Sequence, residues 1–165
     1  MPTLQLLRAD HAPAVLAFER QNRAYFGAAV PDRGDGYFAE YAERHAALLA
    51  EQASGDGAYY VLVDEDGAVL GRFNLVFTGD GDAELGYRVA QHAAGRGLAT
   101  SAVRELCLLA ASRHGARSVA ASAATENAAS QKVLTNAGFV AVGPADPASL
   151  GGSQGTRYER GLEPS

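Results

Sequence analysis

The residues with the greatest chemical potential lie together past the middle of the chain. Gly95-Arg96-Gly97 stands between an extended run ending at Val89 and a long helical stretch beginning at Leu98. Glycines at a helix start let the backbone approach a ligand, because no Cβ stands in the way. The N–H groups of a first helical turn lack intrahelical partners, and the helix dipole favours an anion there. Arg96 adds positive charge at the same place. Together these features predict a pyrophosphate-binding turn. The Walker pattern G-x-x-x-x-G-K-[ST] is absent, which argues against ATP or GTP chemistry. The dinucleotide fingerprint G-x-G-x-x-G fails at Thr100, and the preceding strand closes an antiparallel series rather than opening a parallel βαβ unit.

The elements that must position this turn follow from the rest of the chain. It has 165 residues, 47% hydrophobic and 20% charged. That suits one domain with a substantial core, expected over 1–165, and excludes disorder for the bulk. Leu4 and Leu6 begin a short strand pattern, and Asp10 is expected to cap a helix carrying Val15, Leu16 and Phe18. Residues 27–36 read as a loop. A second helix is expected from about Gly36 to Gln52, with Phe38, Tyr41, His45, Leu48 and Leu49 on one face. Three antiparallel strands then follow, Ala58–Val63, Val69–Phe77 and Ala83–Val89, joined at Asp64-Glu65-Asp66-Gly67 and Thr78-Gly79-Asp80-Gly81-Asp82. Leu98, Ala102, Leu106, Leu109 and Ala110 keep helical spacing up to a stop at Gly115. Ser118–Ala123 predicts a strand of small residues and Asn127–Asn136 a helix closed by Gly138. Phe139 and Val140 start a further strand, 143–155 reads as a loop, and Arg157–Arg160 predicts a last strand.

His92-Ala93-Ala94-Gly95-Arg96-Gly97 resembles the acetyl-CoA loop [Q/R]-x-x-G-x-[G/A] of the GNAT N-acetyltransferase superfamily, with His92 in place of Gln or Arg. The resemblance extends to Glu84-Leu85-Gly86-Tyr87-Arg88-Val89 before the loop and Leu98-Ala99-Thr100 after it. It includes Asn127-Ala128-Ala129-Ser130-Gln131-Lys132-Val133-Leu134 and Asn136-Ala137-Gly138-Phe139. This pairing looks most like the branch holding ribosomal-protein alanine N-acetyltransferases. It implies a mixed α/β (α+β) GNAT-like fold: a central, mostly antiparallel sheet splayed between strands 4 and 5 and flanked by about four helices. Pantetheine would lie against the free strand edge, and isolated Gly86 fits a bulge or a close backbone approach.

The resemblance also implies roles. Gly95, Arg96, Gly97, Leu98, Ala99 and Thr100 would hold the CoA diphosphate, with His92 beside them. The Val89 N–H would polarise the thioester carbonyl. Asn127 would bond the pantetheine, and Ser130 would protonate the leaving thiolate. Many members use a tyrosine seven residues after the asparagine, but here that position is Leu134. Lys132 is a candidate for a CoA phosphate, or else a solvated surface lysine. Glu84 is the first candidate for the base that frees the attacking amine, acting directly or through water. An ion pair with Arg88 or a neighbouring strand is the plainer alternative. Asn127 and Ser130 likewise have plainer readings as a helix N-cap and a first-turn serine. Tyr25, Phe26, Tyr37 and Phe38 flank the first loop, where the family analogy puts acceptor-site residues and ordinary packing puts core.

The expected enzyme is an N-acetyltransferase using acetyl-CoA as cosubstrate, without a metal, by direct transfer in a ternary complex. The acceptor would be a protein or peptide α-amine, or else a small amine such as an antibiotic or metabolite. A non-catalytic acyl-CoA sensor and a nucleotide-binding regulator are the rivals. The net charge of -5 argues against bulk nucleic-acid binding. The four histidines lack metal-ligand spacing. Cys107, the one cysteine, reads as a buried hydrophobe and suits a reducing cytoplasm. No run is apolar enough for a membrane span, and the start lacks a signal-peptide pattern. A homodimer is compatible with this reading.

Overall fold

The computed structural model describes residues 1–162, so the last three positions of the expected 1–165 domain lie outside the described residues. The strands form a seven-stranded sheet in the order β1-β2-β3-β4-β5-β7-β6. They are β1 (Thr3–Leu6), β2 (Gly57–Val63), β3 (Val69–Gly79), β4 (Asp82–Val89), β5 (Ser118–Ala124), β6 (Val140–Pro144) and β7 (Gly155–Gly161). The chain groups into two compact units, one of residues 1–74 and 87–94, the other of 75–86 and 95 onward.

In the first unit β1 runs antiparallel to β2, with Thr3 opposite Val63 and Leu6 opposite Tyr60. Every residue of β2 is buried, as its unbroken apolar run demands. Four helices belong here: α1 (Ala12–Gln21), α2 (Arg23–Gly27), α3 (Asp35–Ala39) and α4 (Tyr41–Ala53). The sequence suggested two. Asn22 breaks the first, because its Nδ2 donates to the Phe18 carbonyl at 2.9 Å and its Oδ1 accepts from the Gln91 N–H. Glu40, at φ -108 and ψ 22, breaks the second. The buried aromatic of α3 is Tyr37 rather than Phe38, because the Tyr37 hydroxyl accepts a bond from buried Arg72. Asp10 is not the cap of α1. Ala9–His11 form a 3₁₀ turn first, in which the Asp10 carboxylate holds Arg8 and His11 Nδ1 accepts from the Arg8 N–H. Pro13 then fits the first turn of α1.

In the second unit α5 (Leu98–His114) crosses from β4 to β5, which run parallel from Asp82 opposite Ser118 to Leu85 opposite Ala121. Pairing stops there although both strands continue, and the sheet is splayed at this point. Gly97 and Gly115, both left-handed, bound α5 as the sequence suggested. Its buried face is Ala102, Val103, Leu106, Cys107 and Ala110, with Leu98 and Leu109 half-buried. Following α6 (Ala128–Asn136), β7 inserts between β5 and β6 and is antiparallel to both. Among the described residues there are six α-helices, where about four were expected. Among the described residues no helix is long and apolar enough to cross a membrane.

Candidate active site

Gly95 and Gly97 both take φ +76, a region L-residues avoid. A Cβ built at either would meet no atom within 4 Å, so this backbone fronts open space. Gly97 is the N-cap of α5 and no side chain caps the helix, which leaves the first-turn amides of Leu98, Ala99 and Thr100 as a ready anion cradle. Arg96 is exposed beside them. The chemistry and the room suit a diphosphate. His92 lies exposed in a 3₁₀ turn over Gln91–Ala93.

At the start of α6, Asn127 is the N-cap and its Oδ1 accepts from the Ser130 N–H at 3.0 Å. The capping reading therefore holds, and it engages only the Oδ1 of Asn127. Ser130 is half-buried and Lys132 exposed. Leu134 is fully buried, so the tyrosine position of many relatives is core here. Gln131, which the sequence reading passed over, donates to the carbonyls of Ala124 and Thr125 at 2.9 Å each and ties α6 to the end of β5.

Glu84 makes an ion pair, but with Arg157 of β7 rather than Arg88, Nη2 to Oε1 at 2.8 Å. β5 lies between β4 and β7, and its small residues Ala120 and Ser122 let the arginine reach across. Nothing lies within 4 Å of a Cβ added at Gly86, so no other described residue makes the close approach suggested there. In the first unit, the Ala90 N–H donates to the Leu70 carbonyl at 2.8 Å. Strand alternation then turns the Val89 N–H to the opposite edge.

A second polar centre, missed from sequence, is built around Glu19. This carboxylate is 1% exposed and accepts from Arg72 Nη1 at 2.7 Å, Arg33 Nε at 3.0 Å and Arg88 Nη1 at 3.1 Å. Burial alone would raise its pKa, but Arg72, Arg33 and Arg88 outweigh burial and hold it below the ordinary value. For Arg88, burial and then the charge of Arg33 push the guanidinium the other way, below its usual range. The signals were present in the sequence: Glu19 falls four residues after Val15 on the buried face of α1, and Arg72 interrupts the apolar run of β3. Cys107 is buried, and burial pushes its thiol up, away from nucleophilic use. Among the described residues there is no group of three metal-ligating side chains.

Residues 3–140 match the acetyltransferase (GNAT) domain family. The chain belongs to the GNAT acetyltransferase family. It is thus an acyltransferase by family. No curated protein matches the sequence. Solved structures match closely in fold. One is the ribosomal-protein-S5-alanine acetyltransferase from Vibrio fischeri, 19% identical, with a TM-score of 0.88 over 97% of this chain and 92% of that one. Another is the ribosomal L7/L12 α-N-protein acetyltransferase RimL in complex with CoA, 19% identical, with a TM-score of 0.85 over 99% and 96%. RimJ from Mycobacterium smegmatis, in complex with a CoA disulfide, is 21% identical, with a TM-score of 0.83 over 96% and 80%. At such identities the likeness is one of fold.

Proposed function

We propose that this GNAT enzyme moves the acetyl group of acetyl-CoA onto the α-amine of a protein or peptide. The observation that carries the reading is the uncapped start of α5 behind two left-handed glycines, an anion cradle facing open space. The amides of Leu98, Ala99 and Thr100 hold the diphosphate with Gly95, Arg96 and Gly97, while His92 and Lys132 lie within the exposed cofactor-binding set. Acetyl-CoA supplies the activated acyl group. The Val89 N–H stabilises the developing oxyanion, a fixed dipole needing no reorganisation. Asn127 donates its amide nitrogen to a pantetheine carbonyl, and the Ser130 hydroxyl returns a proton to the departing thiolate.

Glu84 takes the amine proton through water. Its Oε1 is held by Arg157, and its Oε2 remains for that water. An α-amine, with a pKa near 8, needs less help at neutral pH than a lysine side chain near 10. Fold likeness to ribosomal-protein acetyltransferases supports a protein acceptor. Isotope transfer from labelled acetyl-CoA to N-terminal peptides tests the reading, and thermal stabilisation by acetyl-CoA tests binding alone. Labelled peptide is the expected result. Binding without label in any amine would favour a sensor, a second reading that gains weight from buried Leu134.

A further inference from the structure

Three guanidiniums, those of Arg33, Arg72 and Arg88, converge on the single carboxylate of Glu19. That carboxylate is saturated, since Oε1 accepts from Arg33 and Arg88, and Oε2 from Arg72 and Arg33. The cluster therefore carries more positive than negative charge in a place largely withdrawn from water. Arg88 is the least committed member. Its one hydrogen bond among the described residues is Nη1 to Glu19, and its Cζ lies over the Phe26 ring, 4.7 Å from the centroid. A guanidinium held in this way presents its remaining N–H groups to a planar, bidentate partner.

A recess opens at this spot, and its charged lining is Glu19, Asp32, Arg23, Arg33 and Arg88. Arg23 is already spent on Asp32 and Asp35, both at 2.8 Å, and lies over Phe38. The donors left to the recess come from Arg88, with half-exposed Arg33 beside it. The recess is small and open to solvent. Its remaining guanidinium donors suit a compact planar anion, and a carboxylate is such a group. Arg88 also precedes Val89 on β4.

We infer that this recess binds a carboxylate carried by the amine acceptor, through Arg88 with Arg33 beside it. The inference rests on the acetyltransferase reading above and narrows it to an acidic acceptor. Two sources share that chemistry: an acidic side chain near a peptide N-terminus, and the free α-carboxylate of a small amino acid.

The experiment measures kcat/KM for matched pairs on the whole protein. One arm compares N-terminal peptides with Glu or Gln at the second and third positions. The other compares free amino acids with their amides. In at least one arm the acid is expected to be used about 10-fold better or more than its neutral isostere, mainly through KM. In Arg88→Gln the preference should shrink towards unity. In Arg113→Gln, an exposed residue at the far end of α5, both rates should stay as they are. The arm that shows the preference identifies the source. Equal use of acid and amide, with transfer plainly occurring, overturns the inference and leaves the acetyltransferase reading standing. A preference for the acid that Arg88→Gln keeps intact also overturns it. Binding of acetyl-CoA with no transfer to any acceptor overturns the acetyltransferase reading, and this inference with it.

Discussion

Replacing Glu19 by Gln isolates the buried network around α1. The native carboxylate is 1% exposed and takes four N–H bonds from three arginines, at 2.7 to 3.4 Å. Glutamine keeps the volume, offers one oxygen, and turns an NH₂ towards positive charge. Removing one partner from a buried ion pair costs about 3–5 kcal/mol, since the other charges stay behind uncompensated. For a chain of this size that is roughly 6–20 °C in Tm. The assay is chemical denaturation of wild type and Glu19→Gln from neutral pH down to about pH 3. The native carboxyl is held below its ordinary 4.5, so its contribution is fully present above that pH. As the pH falls below 4.5 the unfolded chain takes up the proton first. The gap between the two proteins should close as the pH passes through the lower native value. A gap under about 1 kcal/mol at neutral pH, unchanged on acidification, would show that solvent rather than Glu19 balances these arginines.

Gly97→Ala puts a Cβ on a left-handed residue that has open space around it, so its cost is backbone strain of about 1–2 kcal/mol, roughly 2–8 °C. Acetyl-CoA affinity by calorimetry should fall by about 10-fold or more, beyond what the strain alone explains. Asn127→Ala loses the bond to the Ser130 N–H and about 1 kcal/mol of stability, visible in Tm. Asn127→Asp keeps the cap and the Tm yet weakens acetyl-CoA, and unchanged binding would confine Asn127 to capping. Ser130→Ala should lower kcat by about 100-fold while the KM for acetyl-CoA stays within a few-fold. A kcat like that of wild type in steady-state assays would remove Ser130 from the acid role.

What could be read in advance was local. Gly97 and Gly115 bound α5 where expected because each marks a left-handed backbone that other residues resist. Asp64 to Gly67 make a turn for the same reason, with Gly67 at φ +86. The glycine cradle and the asparagine cap were legible because each is complete within a few residues. Partnerships across the fold were not. Asn22 divides a helix for the sake of Gln91, Tyr37 displaces Phe38 for the sake of Arg72, and Glu84 finds Arg157 across an intervening strand. In each case a polar group far along the chain outweighs the local hydrophobic period, and no spacing rule contains it.

The placement of β7 governs when the second unit can form. Among the described strands this one follows the other six in the chain yet sits inside the sheet, paired to β5 from Ser118 to Ala124 and to β6 on its other side. During synthesis β5, rich in alanine, has a naked edge until residues 155–161 have emerged. Such an edge invites pairing with foreign strands. The seam tolerates no slack, because a side chain at Gly155 would run into the Ala123 carbonyl and Leu150. Closure of this half of the enzyme therefore waits on residues 155–161 and is exacting when it comes, and the nascent chain is most vulnerable to misassembly just before it.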